Sequence, residues 1–172
     1  DCGLSASTAR EWLSVLEASY LVTRIQPYYQ NFGKRLVKTP KLYFLDVGLM
    51  AWLIGIRDTV TLDTHVSRGA LFETFVVSEL IKRQFNQGQN AVLYFWRDSA
   101  GNEIDLLLDT PQGLQAIEIK SGSTFTSDWI KGFKVWKRNT QVNTLIPRII
   151  YGGTDSYDRE GHQVMGWPDI GI

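Results

Sequence analysis

The distribution of apolar and polar positions predicts an α/β protein. A helix is expected over residues 68–85, where the chain is apolar nearly all round and should be well buried. Apolar runs predict strands at residues 91–96 and 145–151, a hairpin within residues 103–120 and a helix over residues 129–138. The last strand should pair parallel to the hairpin through the crossover helix. This order favours a mixed sheet flanked by helices.

The hairpin carries the candidate chemistry. If its Pro/Gly-containing turn closes symmetrically, Asp109 faces Leu114, and Asp105 faces Glu118 with Cβ atoms roughly 4.5–5.5 Å apart. Lys120 lies two residues after Glu118 and shares its face of the strand. Two neighbouring carboxylates repel each other, and a divalent cation would remove the repulsion.

A simpler interpretation of the same hairpin needs no metal. The predicted register also pairs Glu103 with Lys120 across the two strands, as on an ordinary exposed face. Glu73 has a similar alternative, because an acidic residue near the start of a helix is stabilised by the helix dipole. In an otherwise apolar helix, however, Glu73 needs a partner such as a metal, a water molecule or a lysine.

The first part of the chain follows a different pattern. A helix is followed by an extended stretch at residues 21–29, a turn and a return strand at residues 35–37, which is typical of the tail of a winged-helix module. We therefore expect residues 1–60 to be a partial winged-helix-like module and connector outside the main sheet. Residues 61–172 would form the second domain.

Composition limits the function classes. Eighteen basic and eighteen acidic residues give a formal net charge of zero, so any basic surface for nucleic acid must be local. The lone Cys2 excludes an intrachain disulfide and favours a cytoplasmic protein. No apolar run approaches the roughly 18 residues of a membrane span, so no membrane association is expected. Because the chain opens without Met, we expect it to be a piece of a longer protein.

One local basic stretch contains no acid between Glu17 and Asp46 and is interleaved with aromatic residues. Its cations are candidate contacts to phosphates of DNA or RNA. A solvated hairpin and a surface that docks another domain remain open as alternatives. The candidate nucleic-acid-binding residues are Arg24, Lys34, Arg35, Lys38 and Lys41.

Together these motifs resemble a known family. Asp105, followed after twelve residues by Glu118-Ile119-Lys120, is similar to the signature of the PD-(D/E)xK nucleases, and Glu73 fits the Glu that these enzymes commonly carry on a preceding helix. The segments KTPKLYFLDVGL at 38–49, NEID at 102–105 and EIKSG at 118–122 extend the match, with the Phe72-Glu73 helix between the first two. Over nearly the whole chain the pattern resembles the DUF4143 family, which usually lies C-terminal to an AAA+-type ATPase domain.

The resemblance implies a restriction-endonuclease-like fold and phosphodiester hydrolysis that depends on Mg²⁺ or Mn²⁺. The implied catalytic residues are Glu73, Asp105, Glu118 and Lys120, with Asp105 and Glu118 as metal ligands. The implied partners are DNA or RNA and an upstream ATPase domain of the same polypeptide. Ile104 stands where the nuclease signature has Pro. The alternative is a non-catalytic module that binds nucleic acid or a protein for the ATPase.

Overall fold

The computed structural model describes residues 3–28, 39–90, 92–140 and 142–171. The helices are α1 (Ala6–Ala18), α2 (Val47–Leu53), α3 (Thr59–Thr64), α4 (Arg68–Asn86) and α5 (Lys131–Thr140), with short 3-10 helices at Ser127–Ile130 and Trp167–Gly171. The strands are β1 (Val22–Pro27), β2 (Lys41–Phe44), β3 (Leu93–Arg97), β4 (Glu103–Thr110), β5 (Gly113–Lys120), β6 (Arg148–Tyr151), β7 (Tyr157–Arg159) and β8 (His162–Gly166).

The strands form one mixed sheet in the order β2-β1-β3-β4-β5-β6-β8-β7. Strands β3, β4 and β5 are successively antiparallel, whereas β5, β6 and β8 run parallel to one another. The predicted mixed α/β sheet flanked by helices is therefore confirmed. The parallel pairing of β5 with β6, which α5 separates in sequence, is confirmed as well.

Helices cover both faces of the sheet. The neighbouring β5 residues Ala116 and Ile117 belong to two different hydrophobic clusters, as expected when side chains alternate between faces. Helix α4 packs on the Ile117 face and α5 on the Ala116 face. None of the helices in the described ranges is long and apolar enough to cross a membrane.

Helix α5 approaches β4 very closely, and Gly132 makes this approach possible. A Cβ atom at Gly132 would lie 2.4 Å from the carbonyl oxygen of Glu103. No real side chain tolerates such a contact, so the helix rests directly on the backbone of β4. This contact fixes the strand two residues before Asp105.

Strands β1 and β2 form one edge of the same sheet. Strand β1 runs parallel to β3 and antiparallel to β2. The expectation that residues before about 60 lie outside the main sheet is therefore wrong, because Ile25 and Tyr43 are buried in the cluster that contains α4. The predicted return strand at residues 35–37 lies outside the described residues. The division of the chain at residue 60 stays a prediction, as does the winged-helix likeness.

The hairpin of β4 and β5 has the predicted register near its turn. Asp109 pairs with Leu114, and the ladder continues to Leu106 opposite Ile117. The regular pairing ends there. Asp105, the next residue along β4, lies just outside this ladder.

A bulge in β4 explains why the ladder ends. On the other side of β4, Tyr94 of β3 pairs with Leu107, but Trp96 pairs with Ile104. Strand β4 thus contains one more residue than β3 in this interval, and Asp105 lies within it. Bulges of this kind bend a strand and redirect a side chain, and they are common next to functional sites.

Candidate active site

Asp105 bridges the two hairpin strands through its side chain. Its Oδ2 atom accepts a hydrogen bond from the backbone nitrogen of Ile119 at 2.8 Å. The Asp105 side chain is only 13% exposed, so this hydrogen bond is largely shielded from water. A carboxylate thus provides an acceptor for the backbone of β5 beside the bulge.

Lys120 brings the two predicted carboxylates together. Its ammonium nitrogen lies 2.5 Å from Oε1 of Glu118 and 3.7 Å from Oδ2 of Asp105. The three residues that the sequence singled out on the hairpin therefore share one site. The alternative pair of Glu103 with Lys120 is absent from the ion pairs of the described residues, because both side chains have other partners.

Both carboxyl groups resist ionisation. Burial raises the pKa of Glu118 to about 8, and the charge of Asp105 adds to the rise while Lys120 opposes it. Burial likewise raises the pKa of Asp105 to about 6, with Lys120 opposing and Glu73 adding to the effect. One ammonium does not offset the desolvation and mutual repulsion of the two acids.

Glu118 also carries a buried atom without a hydrogen-bond partner. Its Oε2 is out of contact with solvent and accepts no hydrogen bond from the part of the chain that the structure describes. Leaving a buried acceptor unsatisfied costs roughly 1–3 kcal/mol, and more when the group is charged. Protonation of the carboxyl group would remove the cost of the buried charge, and an additional cationic ligand would also satisfy the oxygen.

Glu73 on α4 is held by two side chains from β2. Its Oε1 accepts hydrogen bonds from the Tyr43 hydroxyl at 2.5 Å and the Lys41 ammonium at 3.1 Å. The sequence suggested a metal, a water molecule or a lysine as the partner of Glu73. The structure provides a lysine, Lys41, and also Tyr43, which the sequence did not suggest. Burial and the nearby Glu73 raise the pKa of Tyr43, so this hydroxyl stays a proton donor.

Lys41 connects Glu73 to the hairpin. Its ammonium group also forms an ion pair with Glu103, the first residue of β4, and Arg97 approaches the same Glu103 to 3.7 Å. Burial lowers the pKa of Lys41, but Glu73 and Glu103 more than compensate and raise it. Lys41 is therefore a charged structural bridge between α4, β2 and β4.

The whole cluster is richer in acid than in base. Four carboxyl groups, those of Glu73, Glu103, Asp105 and Glu118, meet three cationic groups, the ammonium groups of Lys41 and Lys120 and the guanidinium of Arg97. The charge of Glu73 raises the pKa of both Asp105 and Lys120. The excess of carboxyl groups makes the cluster a favourable place for an additional cation.

The predicted nucleic-acid contacts do not form one described surface. Arg24 forms an ion pair with Glu17, so its charge is already paired with an acid. Lys41 points into the carboxylate cluster. The other three candidates, Lys34, Arg35 and Lys38, lie outside the described residues. A role of these five cations in nucleic-acid binding stays a prediction.

A metal at this site would have few protein ligands. Among the described residues, no group of three or more His, Cys, Asp or Glu side chains is placed to hold one ion. The sequence singled out only two ligands, Asp105 and Glu118, and Mg²⁺ is often bound by one or two carboxylates together with water and phosphate. The buried, unsatisfied Oε2 of Glu118 fits that demand for hard oxygen ligands.

Sequence reasoning missed three members of the cluster. Tyr43 had no assigned role, Lys41 was expected at a nucleic-acid surface, and Glu103 was expected to pair with Lys120. The available signal is Glu73, an acidic residue among apolar neighbours near the start of α4, which requires a nearby donor. Which strand would supply that donor depends on the pairing of β1 with β3, and the pattern of apolar positions does not reveal it.

Comparison with known proteins places this chain in a family. The family model described as "Domain of unknown function (DUF4143)" matches residues 68–170, more than half of the chain. The chain belongs to the DUF4143 family. The DUF4143 match contains Glu73, Asp105, Glu118 and Lys120, whereas Lys41 and Tyr43 fall within a second match, to "Domain of unknown function (DUF8612)", over residues 1–60.

Two relatives of this DUF4143 chain come from mycobacteria. An uncharacterized protein of Mycobacterium tuberculosis and one of Mycobacterium bovis are each 33% identical to it over 121 residues. The aligned part is 70% of this chain but 26% of each relative, so the chain spans about a quarter of the length of these curated relatives. No solved structure matches the chain.

Proposed function

We propose that this chain is a metal-dependent nuclease module of the PD-(D/E)xK type, with a restriction-endonuclease-like sheet, and that it is the C-terminal part of a larger ATPase. The winged-helix likeness of the first segment belongs to the same proposal. The observation that supports this proposal is that the carboxyl groups of Asp105 and Glu118 both contact the Lys120 ammonium, while one buried oxygen of Glu118 lacks a hydrogen-bond partner among the described residues. Two acids that resist ionisation beside a lysine suit metal-assisted phosphodiester hydrolysis.

The chain's own residues have distinct roles in this proposal. Asp105 and Glu118 would hold Mg²⁺ or Mn²⁺, which when bound would polarise a phosphate and acidify a water molecule. Lys120 would orient the attacking water and stabilise negative charge on the phosphate. Glu73 would act on the site through its charge, since it is hydrogen-bonded to Tyr43 and Lys41.

The ammonium of Lys120 and a metal would compete for the same carboxylates. In the structure Lys120 contacts both acids and partly neutralises them. Binding of a dication would therefore release Lys120 from Glu118, its shorter contact, and free the ammonium for the substrate. A substitution that removes this lysine should strengthen metal binding while it abolishes cleavage.

The competing function is a non-catalytic module that binds nucleic acid or a protein for the ATPase. The extensive internal pairing favours it, because Lys41, Lys120 and their acids stabilise the fold without any ligand. Both functions keep the same fold and cluster. They differ in whether a divalent metal binds and whether a phosphodiester bond is broken.

A cleavage assay with matched variants separates the two functions. Labelled single- and double-stranded DNA and RNA are incubated with the parent, Lys120→Met and the control Asp109→Asn in Mg²⁺ or Mn²⁺. Asp109 is exposed on the same strand as Asp105 and contacts neither Lys120 nor Glu118 in the described ion pairs. Cleavage by the parent and the control but not by Lys120→Met supports the nuclease. No product from any of the proteins favours the non-catalytic module.

A further inference from the structure

A largely apolar cavity is lined in part by residues that adjoin members of the carboxylate cluster in sequence. Its volume is about 390 Å³, within the range of about 300–1,000 Å³ that is usual for small-molecule sites. Residues from α2, α3 and α4 and from three strand ends line it. Neither the family matches nor the proposed nuclease residues assign this cavity a role.

The cavity occupies a favourable place in the sheet. Ser121, Gly152 and Trp167 line it, and each follows directly after one of the parallel strands β5, β6 and β8. The last residues of these strands are paired across the sheet, Lys120 with Tyr151 and Tyr151 with Gly166. Ligands of α/β proteins commonly bind beyond the carboxyl ends of parallel strands.

Two pairs of adjacent residues join the cavity to the carboxylate cluster. Ser121 lines the cavity directly after Lys120, and Phe72 lines it directly before Glu73. The end of β5 and the first turns of α4 therefore contribute residues both to the cavity and to the proposed site.

The walls of the cavity favour a flat aromatic ligand. Phe75 packs against Trp167 edge-on with ring centroids 6.2 Å apart, and Phe72 lies 6.3 Å from Phe75. None of the three rings is fully buried, and Trp167 is 44% exposed, so their surfaces are open to a ligand. Stacking on aromatic side chains is the usual way in which proteins hold unpaired bases.

Polar groups at the rim match the edge of a base. Arg68 supplies hydrogen-bond donors and Asp63 supplies acceptors, and both line the cavity. Their ion pair is long, 3.8 Å from Arg68 Nε to Asp63 Oδ1, and both side chains are exposed by more than a third. Groups paired this weakly can turn to a ligand, whereas an aliphatic ligand would use neither of them.

We infer that this cavity binds a nucleobase, either of a free nucleotide or of a single strand whose phosphate lies at Lys120. The link to Lys120 rests on the proposed nuclease function, but base binding itself does not. A base within a duplex is stacked and paired, so it cannot enter without being extruded. The cavity would thus make single-stranded nucleic acid the preferred substrate class.

Titrations of the full chain followed by NMR test the inference. Adenosine 5′-monophosphate should shift the backbone amides of Gly48, Ser121 and Gly152, which line the cavity, whereas ribose 5-phosphate should not saturate them. Ala51→Phe should fill the cavity and weaken binding by about tenfold or more. Leu53→Phe, at an exposed position of the same helix outside the cavity, should not.

Circular dichroism shows whether each variant folds. If Ala51→Phe does not fold, Arg68→Gln is used in its place as the variant expected to weaken binding. Equal binding of ribose 5-phosphate, unchanged affinity in folded Ala51→Phe and Arg68→Gln, or no shift with either nucleotide or oligonucleotide would each overturn the inference. A short oligothymidylate that shifts the same amides and that of Lys120 identifies a strand as the source of the base. An oligothymidylate that shifts none of them, while the mononucleotide does, identifies a free nucleotide.

The inference and the proposed function fail separately. If nucleotide binding persists in Asp105→Asn while the parent cleaves no substrate, the nuclease function is ruled out and the base site remains supported. Metal-dependent cleavage by the parent, together with no shift of the cavity amides by either the nucleotide or the oligonucleotide, would rule out the base site and leave the nuclease.

Discussion

The backbone nitrogen of Ile119 donates to Oδ2 of Asp105 over 2.8 Å, so a proposed metal ligand is also part of the hairpin's hydrogen bonding. The same oxygen lies 3.7 Å from the Lys120 ammonium. Structure and proposed chemistry therefore depend on one carboxylate. Substitutions at Asp105 must be chosen so that the two contributions are separated.

Asp105→Asn should fold nearly as well as the parent, whereas Asp105→Ala should be less stable. The Asn side-chain oxygen can still accept from Ile119, but Ala leaves that buried donor unsatisfied at a cost of about 1–3 kcal/mol. Urea denaturation measures the difference. Equal midpoints for the Asn and Ala variants would show that the hydrogen bond contributes little.

Stability of the parent without metal should fall as the pH rises from about 5 to about 8. The folded-state pKa of Glu118 is about 8 against an ordinary value of 4.5, so the native state binds the extra proton between these values. The raised pKa of Asp105, about 6, acts in the same direction. Each bound proton gives a slope of up to about 1.4 kcal/mol per pH unit, and this contribution levels off above pH 8.

Glu118→Gln tests the origin of that slope. The amide does not titrate, so thermal midpoints of the variant should depend less on pH between 5 and 8 than those of the parent. Asp109→Asn, on the exposed side of β4, should keep the parental slope. A variant slope equal to that of the parent would assign the effect to other groups.

Millimolar Mn²⁺ or Mg²⁺ should raise the thermal midpoint of the parent. A cation that binds only the native state adds about 2.7 kcal/mol at a hundredfold excess over its Kd. Asp105→Asn and Glu118→Gln should lose this response, because each removes one of the two proposed ligands. Lys120→Met should keep the response and reach it at lower metal concentration. A parent indifferent to both metals favours the non-catalytic module.

Lys41→Met should lower stability by about 1–3 kcal/mol, since it leaves Glu73 and Glu103 without their shared cation. The double variant Lys41→Met/Glu103→Gln should recover part of the loss, as expected for residues in contact. Chemical denaturation of the parent, both single variants and the double variant measures the coupling. Additive losses would show that the bridge is energetically unimportant.

The sequence is informative about this site because the hairpin encodes its own register. The turn at Pro111 and Gly113 determines which residues oppose one another as far as Leu106, and the alternation of strand side chains groups Glu118 with Lys120. Local rules suffice there. The mixed sheet and the long buried helix α4 follow from equally local patterns of apolar residues.

Long-range contacts limit what the sequence can reveal. The bulge at Asp105 arises where β4 must match β3 and β5 at once, and no single stretch of sequence contains both constraints. The position of β1 beside β3 likewise depends on burial of Ile25 against α4, far away in the chain. For the same reason the sequence alone indicates a surface cation at Lys41, whereas in the structure this residue forms ion pairs with Glu73 and Glu103.

The bridge from Lys41 to Glu73 and Glu103 also bears on how such proteins can be recombined. The two family matches meet between residues 60 and 68, yet the bridge joins a side chain before that junction to two acids beyond it. A chimera that takes its first segment from another protein would therefore need a compatible cation at position 41. The two segments behave as a matched pair rather than as exchangeable parts, and substitutions at positions 41, 73 and 103 are expected to be accepted only in combination.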